Sequence, residues 1–278
     1  MPPSKSLDRP RADLRAVLNA IRYVTRSGAQ WRMVPRDLVP WGTAWSYFRR
    51  WRDDGTWQQL HDHLRADVRW AAGRDPQPSA AILDSQSVKT VERGGLERGF
   101  DGGKLNKGRK RHLLVDTLGL MHGLLVHSAG VQDRAGGRLL LEQCRGRMPR
   151  LRRIWADGAY RGRLVRWARR AAKWVLEIVS RPPGSTGFVL LKWRWIVERT
   201  IGWLNLARRL SINRDRLYAG IVLNKGAFRR SRTTRSSYSV AIAERRSKAD
   251  CGGPSSRRRR ITSAHCSGLS TDVSTSRS

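Results

Sequence analysis

A chain of 278 residues and 31.6 kDa is long enough for one sizeable core and a smaller accessory unit. Lys and Arg number 56 against 22 Asp and Glu, giving a formal charge of +34 and a sequence pI near 11.7, the electrostatic footprint of a nucleic-acid-binding chain. No apolar run approaches the roughly 20 residues of a spanning helix, and Met1-Pro-Pro-Ser-Lys lacks the apolar stretch of a secretory signal, so a cytoplasmic location is expected.

Leu14, Val17, Leu18, Ile21 and Val24 fall at helical spacing, which predicts an amphipathic helix over 12–26 closed by Ser27-Gly28. Beyond Pro35 and Pro40, Trp45, Phe48 and Trp51 recur every three residues while Arg49, Arg50 and Arg52 face elsewhere, and Asp54-Gly55 marks a turn. A third helix over about 57–70 aligns Leu60, Leu64 and Val68 as its core stripe. Three short helices with a basic second one fit a small all-α, helix-turn-helix-like unit over 1–76, with Arg49, Arg50 and Arg52 as candidate DNA contacts. Pro76 and Pro78 oppose helix continuation, so 73–78 reads as a linker with a domain boundary near residue 77.

From Ser79 the signal turns to strands: 80–84, about 110–117 and 121–128, the last two a hairpin around Leu118-Gly119-Leu120. Leu139, Leu140, Leu141 and Cys144 predict a helix over about 134–147, followed by a strand over 154–157, a basic helix over 161–172 and a strand over 174–179. A long helix from about Trp193 carries Val197, Ile201 and Leu204 as its core stripe. That order gives an α/β domain with a mixed sheet. The basic stretch Lys104, Lys107, Arg109, Lys110 and Arg111, interleaved with glycines, is predicted as a loop following a phosphate backbone; it contains no GxxxxGK[ST] nucleotide-binding pattern. Residues 219–278 are aperiodic and rich in Ser, Thr and Arg, including Arg257-Arg-Arg-Arg260, and read as a disordered basic tail.

Three carboxylates carry the chemistry. Asp84 and Asp157 each end a short apolar run, so each emerges at the carboxyl end of a strand, where α/β sheets place ligands. Glu198 lies one position from the last helix's core stripe and leans towards the sheet edge while Val197 anchors the helix. If the two strands are neighbours the three acids converge, and an oxygen-only set suits Mg²⁺ or Mn²⁺. Cys144, Cys251 and Cys266 form no CxxC pair, and His61, His63, His112, His122 and His127 show no ligand spacing, so neither a disulfide framework nor a zinc site is indicated. Two hard cations activate an attacking hydroxyl and stabilise a leaving oxygen, which makes phosphodiester cleavage or exchange the fitting reaction. Asp116 and Asp133 are competing acids ranked lower, the first as the end of a hairpin strand and the second as a helix N-cap.

The runs Ala81-Ile-Leu-Asp84-Ser-Gln-Ser-Val-Lys-Thr, Lys107-Gly-Arg-Lys-Arg-His-Leu-Leu-Val-Asp116, Val131-Gln-Asp-Arg134, Ile154-Trp-Ala-Asp157-Gly and Trp195-Ile-Val-Glu198-Arg-Thr resemble bacterial DDE transposases of the insertion-sequence-five group. The stretch from Trp41 through Tyr47 to Trp57 resembles that family's N-terminal part, so the likeness spans about 12–218. It implies an RNase H-like catalytic domain over 77–218, with Asp84, Asp157 and Glu198 as the metal-binding catalytic triad and Mg²⁺ or Mn²⁺ as cofactor. The substrate it implies is double-stranded DNA, both terminal inverted repeats and target, handled by a dimer or higher synaptic complex. Arg194 matches the arginine of the family's tyrosine-arginine-glutamate-lysine signature and, four residues before Glu198, is placed to meet DNA phosphate or a carboxylate. The tyrosine position holds Leu191 and the lysine position Asn205. In such enzymes water and then a freed 3′-hydroxyl attack, so Ser85, Ser87, Tyr160 and Tyr218 need no nucleophilic role. The abrupt start and aperiodic ending depart from the resemblance and read as altered, the end as frameshifted or degenerate. Two functions follow: a transposase that cleaves and transfers DNA strands, or a catalytically inactive DNA-binding remnant.

Overall fold

The computed structural model describes residues 12–91, 98–180 and 191–212, with isolated residues 182, 184, 186 and 187. The expectations for 219–278, and for Tyr218, Cys251 and Cys266, lie outside the described residues.

Helix α1, Leu14–Ser27, opens with the Asp13 carboxylate accepting from the Arg15 N–H at 2.9 Å and ends at Gly28, whose φ of 72° supplies the left-handed stop. It buries Val17, Ala20, Ile21 and Val24, while Leu14 and Leu18 of the expected stripe stay exposed. Helix α2, Trp41–Asp53, sets Trp45 and Phe48 against Trp31, and Trp51 meets Trp57 edge-on at 5.3 Å between ring centroids. This aromatic cluster is what joins the first three helices.

Helix α3, Thr56–Ala71, corrects the reading of its own stripe: Leu60, Leu64 and Val68 are exposed, and the inward face carries Trp57, His61, Arg65 and buried Arg69. The cause is electrostatic. Arg69 forms an ion pair with Asp116, a carboxylate with 0% exposure at the end of a strand, and a charge that deep needs a cation beside it. Asp116 also accepts from the Leu118 and Leu120 N–H groups at 2.9 and 3.0 Å and lies 3.2 Å from His122 Nε2, while Arg65 donates to the Met121 carbonyl at 3.2 Å. The helical segment is thereby bonded to the sheet.

Six strands form one mixed sheet: β1 Ala80–Lys89, β2 Gly99–Asp101, β3 Asn106–Asp116, β4 Met121–Ser128, β5 Arg153–Ala156 and β6 Val175–Ile178. β3 pairs antiparallel with β1 on one side; on its other side it pairs with β4 and, beyond Arg109, with β2. β1, β5 and β6 run parallel. Two layers cover the sheet, and period-two alternation assigns each residue to one of them. Ala81, Leu83, Leu114, Ile154 and Ala156 pack with helix α4, Asp133–Cys144, and helix α5, Arg163–Trp167, which continues as a wider π turn over 168–172. Ile82, Leu113, Val115 and Trp155 pack with Ile196 and Val197 of helix α6, Arg194–Asn205, which a single turn, α7 Arg208–Ser211, follows. Gly136 and Gly137 let α4 press onto the sheet: a Cβ on Gly137 would stand 2.6 Å from the Tyr160 ring, and one on Gly136 would overlap the His112 and His127 imidazoles. Among the described residues no helix is long and apolar enough to cross a membrane.

Candidate active site

Parallel pairing sets Leu83 opposite Ala156, so Asp84 and Asp157 follow side by side; Asp157 stands just past the carboxyl end of β5, but Asp84, expected at a strand end, lies partway along β1, which runs on to Lys89 paired with β3. Each is two residues beyond a member of the α6-facing layer, Ile82 and Trp155, which aims both carboxylates at that face. Helix α6 crosses there, held by the buried side chains of Ile196 and Val197 and by Trp193, which stacks on Trp155 at 4.8 Å and 18°. Thr200 Oγ1 donates to the Gly119 carbonyl at 2.9 Å and Arg199 to that of Leu118 at 3.0 Å, fixing the helix over the β3–β4 turn.

Asp84 is 7% exposed and accepts one backbone N–H, from Ser85 at 2.8 Å. Burial pushes its carboxyl up to about 6; the Arg194 guanidinium opposes the rise and neighbouring Asp157 adds to it. Asp157 opens a short turn by accepting from the Ala159 N–H at 3.0 Å. Arg194 Nη2 lies 3.8 Å from Asp84 Oδ2 and 3.5 Å from Glu198 Oε1, so one cation bridges the acid of β1 and the helical one. The Glu198 side chain is 55% exposed and remains open to solvent.

Among the described residues no three Asp, Glu, His or Cys side chains gather into a ready-made metal cage. The donor set nevertheless fits a hard divalent cation: its members are carboxylate oxygens, and Asp84 is buried with one backbone donor and a distant guanidinium to offset its charge. Arg194 occupies the position between the acids that a cation there would share or take over.

The basic stretch is corrected in placement. Lys104 and Lys107 are exposed, but Lys107, Arg109, Lys110 and Arg111 belong to strand β3, and the last three are buried rather than lining a solvated loop. Lys110 Nζ sits 3.1 Å from Asp133 and 3.4 Å from Asp101; Arg111 donates to Gln86, to Asn205 at 2.7 Å and to the Leu210 carbonyl at 3.1 Å. Asn205, at the signature's lysine position, thus ties α6 to the sheet. Asp133 is likewise corrected: Gln132 is the cap residue, Asp133 is the first helical residue, and its carboxylate meets Lys110 and accepts from Ser85 Oγ at 2.8 Å. In the helical segment Arg49 and Arg50 are exposed, Arg50 lying over the Tyr47 ring at 4.7 Å, whereas Arg52 pairs with Asp53 at 3.1 Å.

Sequence reasoning missed the polar layer on the α4 side of Asp84. The Tyr160 hydroxyl and His112 Nδ1 are 2.8 Å apart, both residues fully buried, and burial holds the tyrosine hydroxyl well above its ordinary range and His112 down to about 3. The sequence signal for it was the alternation Asp84-Ser85-Gln86-Ser87, which sends the serines to the face opposite the acid.

A strongly basic chain with a helical segment bonded to a mixed sheet, and two acids side by side on adjacent parallel strands under a glutamate-bearing helix, defines the class to which the sequence comparisons then give a family. The transposase DDE domain model matches residues 75–223, more than half of the chain, and the model for transposases of the IS4/5 family matches residues 1–61. The insertion element IS402 uncharacterized 16.2 kDa protein of Burkholderia cepacia is 35% identical over 82 residues, 29% of this chain and 54% of that protein. The chain therefore spans about half the length of that curated relative. It belongs to the DDE transposases of the IS4/5 insertion elements.

Proposed function

We propose that this chain is an active transposase that cleaves and transfers DNA strands at the ends of an insertion sequence, with Asp84, Asp157 and Glu198 holding Mg²⁺ or Mn²⁺ in an RNase H-like domain and residues 1–76 contributing DNA contacts. The observation that carries it is the adjacency of Asp84 and Asp157 just past the last β1–β5 pair, Leu83 and Ala156, with Glu198 joined to Asp84 through Arg194. Asp84, Asp157 and Glu198 would hold the cation, which would supply charge stabilisation at the phosphate and acidify the attacking hydroxyl. The chain's own residues supply the rest. Asp84, in a buried site of low dielectric, presents a negative charge that water does not screen. Arg194 is the nearest side-chain cation for a phosphate that displaces it from the acids, and exposed Lys104, whose Nζ reaches the Ser85 carbonyl at 3.3 Å, is a second. Water and then a 3′-hydroxyl serve as nucleophiles, so Tyr160 stays a buried neutral hydroxyl bonded to His112.

The test is cleavage of duplex DNA carrying the element's terminal inverted repeats, with Mg²⁺, by the wild type and by Asp84→Asn, Asp157→Asn and Glu198→Gln. Loss of at least 100-fold in every variant is expected. Undiminished cleavage in any of them removes that residue from the triad, and salt-sensitive DNA binding with no metal-dependent cleavage by the wild type identifies the inactive remnant instead.

A further inference from the structure

Helix α5 carries Arg166, its π turn carries Arg169 and Arg170, and Lys173 ends the turn in the left-handed conformation at φ 59°, while Leu164 and Ala168 are buried. All four cations are exposed, and together with buried Trp174 and exposed Val175 they line an open groove of about 630 Å³. No acid contributes to it. Acids are scarce in this chain, and those nearby are engaged with other groups: Glu177 with Arg153 and the Trp155 indole N–H, Glu142 with Arg138. Among the described residues none of the four cations forms an ion pair with a carboxylate.

Four uncompensated charges around one groove repel one another, and such a cluster is stabilised by a polyanion. Its only exposed apolar contact is Val175, so it lacks the buried aromatic or aliphatic anchors that a protein partner requires. Arginine forks meet phosphate oxygens without reading bases. Position adds a further constraint. Val175 begins edge strand β6 opposite Arg153, and the pair of strands runs from there to Ala156 and Ile178, just short of Asp157. Leu164, Ala168, Trp174 and Leu176 pack in the α4-side layer, so the groove lies on the face of the sheet away from the acids.

We infer that this groove is a second DNA surface: Arg166, Arg169, Arg170 and Lys173 hold a duplex phosphate backbone, independently of its sequence, on the face of the sheet opposite the acids. The inference rests on the reading of the chain as a DNA-acting transposase and adds to it a surface remote from the triad.

The full chain is titrated with an inverted-repeat duplex by fluorescence anisotropy in EDTA, where binding is read without cleavage, over a range of NaCl concentrations. Neutralising all four (Arg166→Gln, Arg169→Gln, Arg170→Gln, Lys173→Gln) is expected to reduce the magnitude of the slope of log K against log salt by about 3.6 and to weaken binding at least 100-fold at 0.1 M salt, at about 0.9 in slope per phosphate contact. Neutralising the ion-paired surface arginines Arg138, Arg150 and Arg153 should change the slope by less than 1. A four-residue variant with an unchanged slope overturns the inference, as does one whose slope falls no more than that of the control. In the wild type, acetylation of Lys173 is expected to drop at least fivefold on adding duplex, a readout that needs no variant to fold; equal labelling with and without DNA overturns it. Mg²⁺-dependent cleavage by the wild type, lost in Asp84→Asn, is scored separately: cleavage present with an unaltered salt slope sinks the groove alone, while a lowered slope without cleavage sinks the catalytic reading alone.

Discussion

Replacing Arg69 by Met keeps its aliphatic bulk and removes the cation that faces Asp116. The pair is almost fully enclosed, with side-chain exposures of 6% and 0%, so the orphaned carboxylate keeps two backbone N–H donors and His122 but loses its charge partner. Removing one member of a buried pair costs about 3–5 kcal/mol, against about 0–1 for a surface pair. The loss should depend on pH. In the wild type, burial and the neighbouring arginines Arg65 and Arg69 keep the His122 pKa below its ordinary value, against the pull of Asp116. Without Arg69, Asp116 favours the imidazolium, and a pKa raised in the folded state stabilises below the unfolded value and is lost as pH rises through the folded one. Urea denaturation followed by tryptophan fluorescence should show the deficit of Arg69→Met widening by at least 1 kcal/mol from pH 5.5 to pH 8. Arg69→Met/Asp116→Leu should recover most of it, because no uncompensated charge remains. A deficit below about 1 kcal/mol at pH 8, or one equal at both pH values, refutes the account of how the helical segment is joined to the sheet.

Three further outcomes follow from the packing. Gly137→Ala drives a methyl into the Tyr160 ring 2.6 Å away and should cost about 1–3 kcal/mol in urea denaturation, whereas Gly42→Ala, with open space around the new methyl, should cost nothing measurable. Trp155→Ala removes the partner of Trp193 and should cost about 3–5 kcal/mol, with amide exchange accelerating in α6 before the rest of the sheet. His112, held down to about 3 by burial, stays neutral in the fold while the unfolded chain takes up a proton below about 6.5. Its contribution is present above that pH and declines by about 1.4 kcal/mol per unit as pH falls towards 3. Stability measured at pH 7.5, 6.5 and 5.5 should therefore fall less steeply in His112→Gln than in the wild type; parallel slopes would contradict this.

Much of the fold was legible because its signals are local. Helix α1 announced its stop at Gly28, the β3–β4 hairpin its turn at Gly119, and the short apolar run before Asp157 its strand end, whereas the run before Asp84 marked only where β1 leaves β5, since β1 continues to Lys89 along β3. The readings that failed depended on partners far away in sequence. Lys110 and Arg111 look solvated in isolation; they are buried because Asp101, Asp133, Gln86 and Asn205 converge on a strand paired on both sides. Leu60, Leu64 and Val68 look like a core stripe, and the helix turns the other way because Asp116 requires Arg69. For the site, the residue types were legible and the bridge was not: the spacing from Arg194 to Glu198 was visible, but the same guanidinium reaching Asp84 follows only from α6 packing on Ile82 of β1 and Trp155 of β5.

The most direct test of the proposed site is Mn²⁺ binding by the full chain at pH 7.5, read by electron paramagnetic resonance and competed with Mg²⁺. The wild type should bind Mn²⁺ in a form that Mg²⁺ displaces, and Asp84→Asn, Asp157→Asn and Glu198→Gln should each weaken it at least tenfold. Binding of equal stoichiometry and affinity in Asp84→Asn would contradict the assignment of these three carboxylates as the metal site.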